Sequence, residues 1–251
     1  MTPYNRENYI LTDSPIKKDL LRLFKRDDKM TILDIGGCEG EESIRYSRIF
    51  PFACIYVFEP LPKNQQLVVE NIDKYQPNKI ELVPMAASDE DGSTQFFVSS
   101  GHPDPNAEYD WDFGNKSSSL LAPQENNNPS WLQFNEKIEV QTISLNTFLS
   151  NNKINEVDFV HMDVQGAELK VLSGAKEYIQ NIKAIWLEVA DVEIYKGQPL
   201  RTDVEVFMIK NGFYLVKSEM HGSSGDQFYL NSKYFKTFSF LNNRIQFHFK
   251  K

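Results

Sequence analysis

The chain has 251 residues, of which 41% are apolar, and its 35 acidic and 27 basic residues give a net charge of −8. This length suits one domain with appendages, and the acidic balance argues against nucleic acid as the main partner. Two cysteines, Cys38 and Cys54, are too few for a disulfide framework. No stretch approaches the roughly 18 apolar residues of a membrane span, and the first residues lack a signal-peptide pattern. We therefore expect a cytoplasmic protein without a membrane span.

Strands and helices are predicted to alternate over the first part of the chain. Each predicted strand is almost wholly apolar, which is typical of a parallel sheet covered by helices on both faces. In chain order, the pattern predicts a helix at 13–26, a strand at 30–35, a helix at 41–50, a strand at 53–60, a helix at 63–75 and a strand at 79–88.

The alternation then breaks and resumes. Two extra strands are predicted at 93–100 and 137–144, and we interpret the long segment 101–137 as a lid-like insertion. The later pattern predicts a helix at 144–152, a strand at 156–163, a helix at 167–179, a strand at 183–190, a helix at 200–212 and a hairpin from 213–218 and 226–232.

These elements predict an α/β fold with a doubly wound, mostly parallel sheet of the seven-stranded type, an extra strand pair and a long insertion. We expect residues 1–251 to form a single domain. Residues 1–30 would be a helical lead-in, and residues 212–251 a closing hairpin and tail.

The segment TILDIGGCEGEES, residues 31–43, joins an apolar strand to a helix through a glycine-rich turn. Its glycines let the main chain approach a ligand closely. The turn is acidic, and Cys38 stands where the dinucleotide fingerprint has glycine. Such acids repel a pyrophosphate but suit S-adenosylmethionine, whose sulfonium, ammonium and ribose hydroxyl groups bind carboxylates. We therefore predict a cofactor site that begins with Asp34, Gly36, Gly37, Glu39 and Gly40.

The ends of the next two predicted strands would complete a nucleoside site. Glu59 ends one strand, where its carboxylate would accept hydrogen bonds from both ribose hydroxyls, and Pro60 follows it. The other ends at Ala87 and Ser88, where adenine would pack. Two alternatives stay open: a nicotinamide enzyme that holds a ribose with Glu59, and a doubly wound domain whose glycines only turn the chain.

Seven segments occur together in a known family, in this order: ILDIGGCEG, VFEPLPKNQQLVVENI, LVPMAASDEDGSTQFFV, SSSL, VQTISLNTFL, VDFVHMDVQGAELKVLSGA and IWLEV. By these segments the sequence resembles the FkbM-like S-adenosylmethionine-dependent methyltransferases. The resemblance implies a class I, Rossmann-like fold, S-adenosylmethionine as cofactor with Ser119 over it, and O-methylation of sugars or polyketide-type natural products. The sequence departs from the family at Cys38, where the family usually has Asn, and at Gln165, where it usually has Glu.

The strand predicted at 156–163 ends with the residues best suited to catalysis. Asp163 is expected at the tip, beside the cofactor, where a carboxylate orients or deprotonates an acceptor hydroxyl. His161, two positions earlier, is either a second catalytic residue or a hydrogen-bonded core histidine. Glu188 ends the neighbouring strand and is the third catalytic candidate. Asp163 and Glu188 could also share a divalent metal, although no compact metal-ligand motif is present.

Acceptor contacts are predicted from the insertion and from the segment after Asp163. Tyr109 and Trp111 are aromatic residues among turn formers, suited either to stacking on a sugar or to pinning the insertion in place. Gln165 and Glu168 complete the predicted substrate contacts.

We therefore expect an S-adenosylmethionine-dependent O-methyltransferase that acts on a sugar, a polysaccharide precursor or a natural product. Two other functions stay open. One is N-methylation of a small metabolite, and the other is a non-catalytic cofactor-binding or scaffold protein. The predicted partner is a small-molecule or carbohydrate acceptor, and the oligomeric state is left open.

Overall fold

The computed structural model describes residues 6–103, 113–124, 127–241 and 244–249. The α-helices are α1 (Arg6–Leu11), α2 (Lys17–Leu23), α3 (Glu41–Ile49), α4 (Pro62–Tyr75), α5 (Leu145–Asn151), α6 (Glu168–Gly174) and α7 (Arg201–Lys210). The strands are β1 (Thr31–Ile35), β2 (Cys54–Phe58), β3 (Lys79–Val83), β4 (Ala86–Ser88), β5 (Gly92–Ser100), β6 (Gln133–Ser144), β7 (Val157–Met162), β8 (Ile182–Ala190), β9 (Phe213–His221), β10 (Ser224–Asn231), β11 (Phe235–Leu241) and β12 (Arg244–Phe249).

The main sheet has seven strands in the order β3-β2-β1-β7-β8-β10-β9. The first five are parallel, and β10 runs antiparallel to both of its neighbours. The chain order reverses between β1 and β7, and ligands of doubly wound sheets bind outside the strand ends at such a point. Asp34 pairs with His161, and His161 pairs with Trp186, so these side chains share one face of the sheet.

Helices cover both faces of this sheet. Apolar side chains of α5, α6 and α7 pack on one face, and those of α2 and α3 pack on the other. The mostly parallel, doubly wound α/β class predicted from the sequence is therefore confirmed.

A second sheet of three strands has the order β4-β6-β5. The sequence predicted one strand over 79–88, and this prediction is wrong because the segment divides between the two sheets. Pro84 lies at the break, where it has no N–H for a ladder hydrogen bond. Lys79–Val83 stays in the main sheet, whereas Ala86–Ser88 pairs with β6. Gly174 makes room for this turn, since a Cβ there would lie 2.0 Å from the Ser88 carbonyl oxygen.

Both ends of the chain depart from the predicted elements. The helix predicted at 13–26 is limited to α2, and α1 precedes it without having been predicted. Tertiary contacts hold α1, because Arg48 donates to the Ile10 carbonyl oxygen at 2.6 Å and Ile10 is fully buried. The helix predicted at 167–179 ends at Gly174 and continues as a 3-10 helix, Lys176–Asn181.

After the predicted hairpin of β9 and β10, a further antiparallel pair, β11 and β12, occupies the region predicted as a tail. Within the described residues, every helix is too short or too polar to cross a membrane.

Candidate cofactor and acceptor site

A cavity, called here the first cavity, lies at the carboxyl ends of β1, β2 and β7 and beside β4. It encloses about 510 Å³, including its opening to solvent. Its apolar side is formed by residues such as Phe58, Ala87 and Phe96. Its polar lining residues are Glu59, Asn64, Asn115, Lys116, Ser118, Asp163 and Gln165.

The glycine-rich turn is held tightly at the edge of this cavity. The N–H groups of Gly36 and Gly37 donate to the Phe58 carbonyl oxygen at 3.0 and 3.1 Å. Gly36 has φ +81°, and a Cβ there would lie 1.9 Å from the Asp163 carbonyl oxygen. Gly40 also has a positive φ and precedes α3. The turn therefore needs glycine at Gly36 for close contact with the β7 end.

The acidic residues of the turn are already compensated by basic side chains. Glu39 is buried, forms an ion pair with Arg6 and accepts a hydrogen bond from Asn115 at 3.0 Å. Glu41 accepts from Lys116 at 2.9 Å. A ligand therefore meets less negative charge than the acidic residues of the turn suggest, because Arg6 and Lys116 reach the turn from distant parts of the chain.

Asp34 lies fully buried beneath the turn. It accepts hydrogen bonds from Ser43 at 2.5 Å and contacts His161 Nδ1 at 3.0 Å. Burial opposes a charge on His161, but the hydrogen bond and charge of Asp34 outweigh it and raise the His161 pKa to about 9. His161 is therefore an imidazolium at neutral pH, which is the wrong state for a base.

Glu59 is a buried carboxyl group at the cavity wall. It is 5% exposed, and its Oε1 accepts from the Leu61 N–H at 2.8 Å. Burial raises the pKa of Glu59 to about 8. Pro60 lines the same wall. Hydroxyl donors from a ligand would supply the solvation that burial has removed from this group.

The third strand end contributes unequally. Ala86 and Ala87 line the first cavity, where they leave room for a flat ring. Ser88 does not line the first cavity. Its hydroxyl donates to Asp89 at 2.9 Å.

The segment that contains Ser119 is fixed over the cavity. Its main chain pairs with Phe97 in both directions, at 2.8 and 3.1 Å. The Ser119 hydroxyl donates to the Gln165 carbonyl oxygen at 2.7 Å and accepts from the Leu121 N–H. Ser119 is therefore a buried anchor, while its neighbours Ser118 and Leu120 line the cavity.

Gln165 connects the two carboxyl groups predicted to act in catalysis. Its Nε2 donates to Asp163 Oδ1 at 2.6 Å and to Glu188 Oε2 at 2.9 Å. The Tyr195 hydroxyl lies 2.8 Å from Gln165 Oε1. Burial, followed by the charges of Asp163 and Glu168, raises the pKa of Glu188 well above its usual range. Burial therefore favours the protonated form of Glu188, which disfavours Glu188 as the base.

The structure places Glu168 outside the first cavity. It is buried, and its Oε1 accepts from the N–H groups of Val164 and Gly166 at 3.3 and 3.1 Å. Burial raises the pKa of Glu168 to about 7. These contacts make Glu168 a support for the loop that carries Gln165.

The remaining predicted contacts fall in or near the insertion. Tyr109 and Trp111 lie outside the described residues. At the ends of the insertion, Gly101 meets Trp131, since a Cβ at Gly101 would lie 2.0 Å from the Trp131 carbonyl oxygen. Within the described residues, no group of three or more His, Cys, Asp or Glu side chains has a metal-binding arrangement.

A second cavity continues from the first, on the face of the sheet that carries Asp34. The two cavities share Gly36, Cys38, Lys116 and Asp163 as lining residues. Beyond this shared wall, the second cavity is lined by Tyr9, Tyr46, His161, Trp186 and Asp226, among others.

Sequence reasoning missed several lining residues. Asn115 precedes the segment KSSSLL, residues 116–121, which the family resemblance placed over the cofactor, and Asn115 had no signal of its own. Asp226 had one, since an acid at the start of an apolar strand is the same kind of signal that marked Asp163 at a strand end. The missed lining residues include Asn64, Phe96, Asn115, Trp186 and Asp226.

Known proteins are similar to this chain in sequence. The family model of the methyltransferase FkbM domain matches residues 34–215. The chain is 31% identical over 220 residues to the 2-O-methyltransferase NoeI of Sinorhizobium fredii, which covers 87% of this chain and 86% of that protein. It is 25% identical over 168 residues to Methyltransferase 1 of Beauveria bassiana, covering 65% and 66% of the two chains.

Solved structures with a similar fold are more distant. Aeropyrum pernix fibrillarin with natively bound S-adenosylmethionine has 11% identity and a TM-score of 0.48, covering 89% of this chain and 76% of that chain. TrmK of M. capricolum with bound S-adenosylhomocysteine has 10% identity and a TM-score of 0.48, covering 87% and 68%.

Proposed function

The chain belongs to the FkbM methyltransferase family and is an S-adenosylmethionine-dependent methyltransferase, and from this premise we propose that it methylates a hydroxyl oxygen of a carbohydrate or similar polyol. The observation that carries the proposal is the position of Asp163, on the wall shared by the two cavities. The likeness to a 2-O-methyltransferase supports oxygen as the methyl acceptor.

The residues of the first cavity fit the nucleoside part of S-adenosylmethionine. Glu59 offers a buried carboxyl group with room for hydroxyl donors, and Ala86 and Ala87 offer an apolar surface for a flat ring. Gly36 has no side chain, so the turn packs directly against the main chain of Asp163 at the edge of this cavity. When bound, the cofactor supplies a methyl group on a positively charged sulfur.

Asp163 is the proposed proton acceptor. As the acceptor oxygen gains a methyl group, its hydroxyl proton passes to the Asp163 carboxylate. Gln165 fixes that carboxylate through its 2.6 Å hydrogen bond. Burial favours the protonated form of Glu188, and the raised pKa of His161 favours its imidazolium, so both groups tend to carry a proton already.

The same contacts argue for a direct base over a metal shared by Asp163 and Glu188. The Gln165 amide N–H groups point at an oxygen of each carboxyl group, and a divalent cation would have to displace them. A metal would also require Glu188 to lose its proton, against the effect of burial on its pKa.

Incubation with radiolabelled S-adenosylmethionine and a panel of methyl glycosides of the common hexoses tests the proposal. We expect label in the saccharide fraction, in an ether that resists mild base. Binding of S-adenosylhomocysteine without any transfer to hydroxyl-bearing acceptors, or transfer to amines only, would overturn it.

A further inference from the structure

We propose that the far end of the second cavity, formed by Tyr46, His161, Trp186 and Asp226, binds the acceptor as an uncharged, hydroxyl-bearing ring. This inference rests on the proposed function and adds the place and the chemical class of the acceptor. It assigns binding roles to Asp226, on the antiparallel strand β10, and to Trp186, on the neighbouring strand β8. Both residues lie away from the glycine-rich turn.

The two cavities are arranged so that a donor and an acceptor could meet at Asp163. They meet at Gly36, Cys38, Lys116 and Asp163, and the far-end residues line only the second cavity. Methyl transfer by displacement needs the donor and the attacking oxygen on opposite sides of the methyl group. With the nucleoside in the first cavity, a space that opens beyond Asp163 is suited to the acceptor.

Two polar groups of the second cavity, on Tyr46 and Asp226, can bind hydroxyl groups of a ligand. The Tyr46 hydroxyl is fully buried and makes no hydrogen bond of good geometry within the described residues, although it interacts with Ser14, another lining residue. A buried hydroxyl whose hydrogen bonding is incomplete is costly, so a ligand that reaches it gains a hydrogen bond. Asp226 is an acceptor for ligand hydroxyls, and its burial near Asp163 raises its pKa only to about 6, which leaves it mostly ionised at neutral pH.

The third step is the balance of charge and shape. Five carboxyl groups line the second cavity, and three of them are each paired with a cation: Asp34 with His161, Glu41 with Lys116 and Glu42 with Arg45. The excess negative charge of the wall therefore comes from Asp163 and Asp226. Such a wall disfavours a phosphate or a carboxylate on the bound ring. The indole of Trp186 offers a flat apolar surface, and rings that carry hydroxyls at their edges and C–H groups on their faces match this combination.

The substitution Asp226→Asn keeps the side-chain shape and removes the charge, so it is the main test. Wild-type protein and the variant are each loaded with S-adenosylhomocysteine and titrated with a methyl hexoside, and binding is followed by saturation-transfer NMR. The exposed Asp27→Asn is the matched control. We expect the variant to bind the hexoside about tenfold more weakly, the control to match wild type, and a hexose phosphate to bind neither protein.

Three results would overturn the inference. One is equal hexoside binding by wild type and Asp226→Asn, and another is absence of hexoside binding by wild type. In the third, Asp226→Asn weakens the binding of S-adenosylhomocysteine but not that of 5′-methylthioadenosine, which lacks the amino-acid end. The far end of the second cavity would then hold the amino-acid end of the cofactor. Binding of the hexoside without methyl transfer contradicts only the proposed function, so the two failures are distinguishable.

Discussion

Gly36 packs directly against the main chain of Asp163, so that a Cβ on Gly36 would lie 1.9 Å from the Asp163 carbonyl oxygen. This contact joins the turn after β1 to the end of β7 at the position where the strand order reverses. It explains how the glycine-rich turn, a proposed cofactor contact, and the proposed proton acceptor are kept at a fixed separation.

Gly36→Ala should therefore destabilise the protein and weaken binding of S-adenosylhomocysteine. Gly197→Ala is a matched control, because Gly197 has φ +78°, close to that of Gly36, and nothing within 4 Å of its Cβ position. The positive φ alone costs about 1–2 kcal/mol in each variant. Thermal unfolding should show a clearly larger loss for Gly36→Ala, and equal losses would mean that the contact with Asp163 is unimportant.

Glu59→Gln should weaken cofactor binding while stabilising the unliganded protein. Above about pH 8, where Glu59 is ionised, lost hydrogen bonds from ribose hydroxyls to a charged group, at about 1.5–3 kcal/mol each, predict a loss of about tenfold or more in S-adenosylhomocysteine affinity by calorimetry. Unchanged affinity in the folded variant would refute the ribose assignment.

The stability effect of Glu59→Gln has a definite pH dependence. Burial raises the Glu59 pKa from 4.5 to about 8, so the folded state binds more protons than the unfolded state between these values. Wild-type stability therefore falls as the pH rises from about 4.5 to about 8, and the variant escapes this loss. The melting temperature of the variant relative to wild type should increase over that range. A constant difference would show that Glu59 is not buried as described.

Asp163→Asn should lower turnover by about 10²–10⁴ and leave S-adenosylhomocysteine affinity nearly unchanged. The reason is that the amide keeps the side-chain shape but accepts no proton. Wild-type activity should also survive a chelator. Activity that is lost to the chelator and restored by magnesium or manganese would support a metal held by Asp163 and Glu188. Near-normal turnover of the variant would exclude both the metal and Asp163 as a direct base.

His161→Gln should destabilise the protein at neutral pH and much less above about pH 9. The raised His161 pKa, about 9, means that the charged pair with Asp34 contributes fully below about pH 6.5 and is lost as the pH rises through about 9. Unfolding measured across this range should show the variant and wild type converging. A stability difference that is independent of pH would mean that His161 is not charged in the folded protein.

The strands, and the meeting of their carboxyl ends at one edge, were predictable for a physical reason. Parallel strands buried on both faces read as continuous apolar runs, and their carboxyl ends meet at one edge. Glu59 and Ala87 could therefore be placed beside Gly36 without knowing any contact between them. Asp163 was placed in the same way, from a carboxylate at the end of an apolar run.

The charges and the hydrogen-bond partners could not be predicted, because they depend on contacts between distant segments. Arg6 and Lys116 neutralise the acidic turn from positions on either side of it in the sequence. Gln165 has φ +53° and a side chain aimed at two carboxyl groups, which no local pattern indicates. These contacts make Gln165 a support for Asp163.

The identity of the atom that receives the methyl group tests the central claim most directly. Wild-type protein is incubated with S-adenosylmethionine carrying a carbon-13 methyl group and with a methyl hexoside, and the product is examined by NMR. The account predicts a labelled methyl ether, with through-bond correlation from the new methyl group to a ring carbon. A labelled N-methyl product from an amine acceptor, or no transfer by protein that binds S-adenosylhomocysteine, would contradict it.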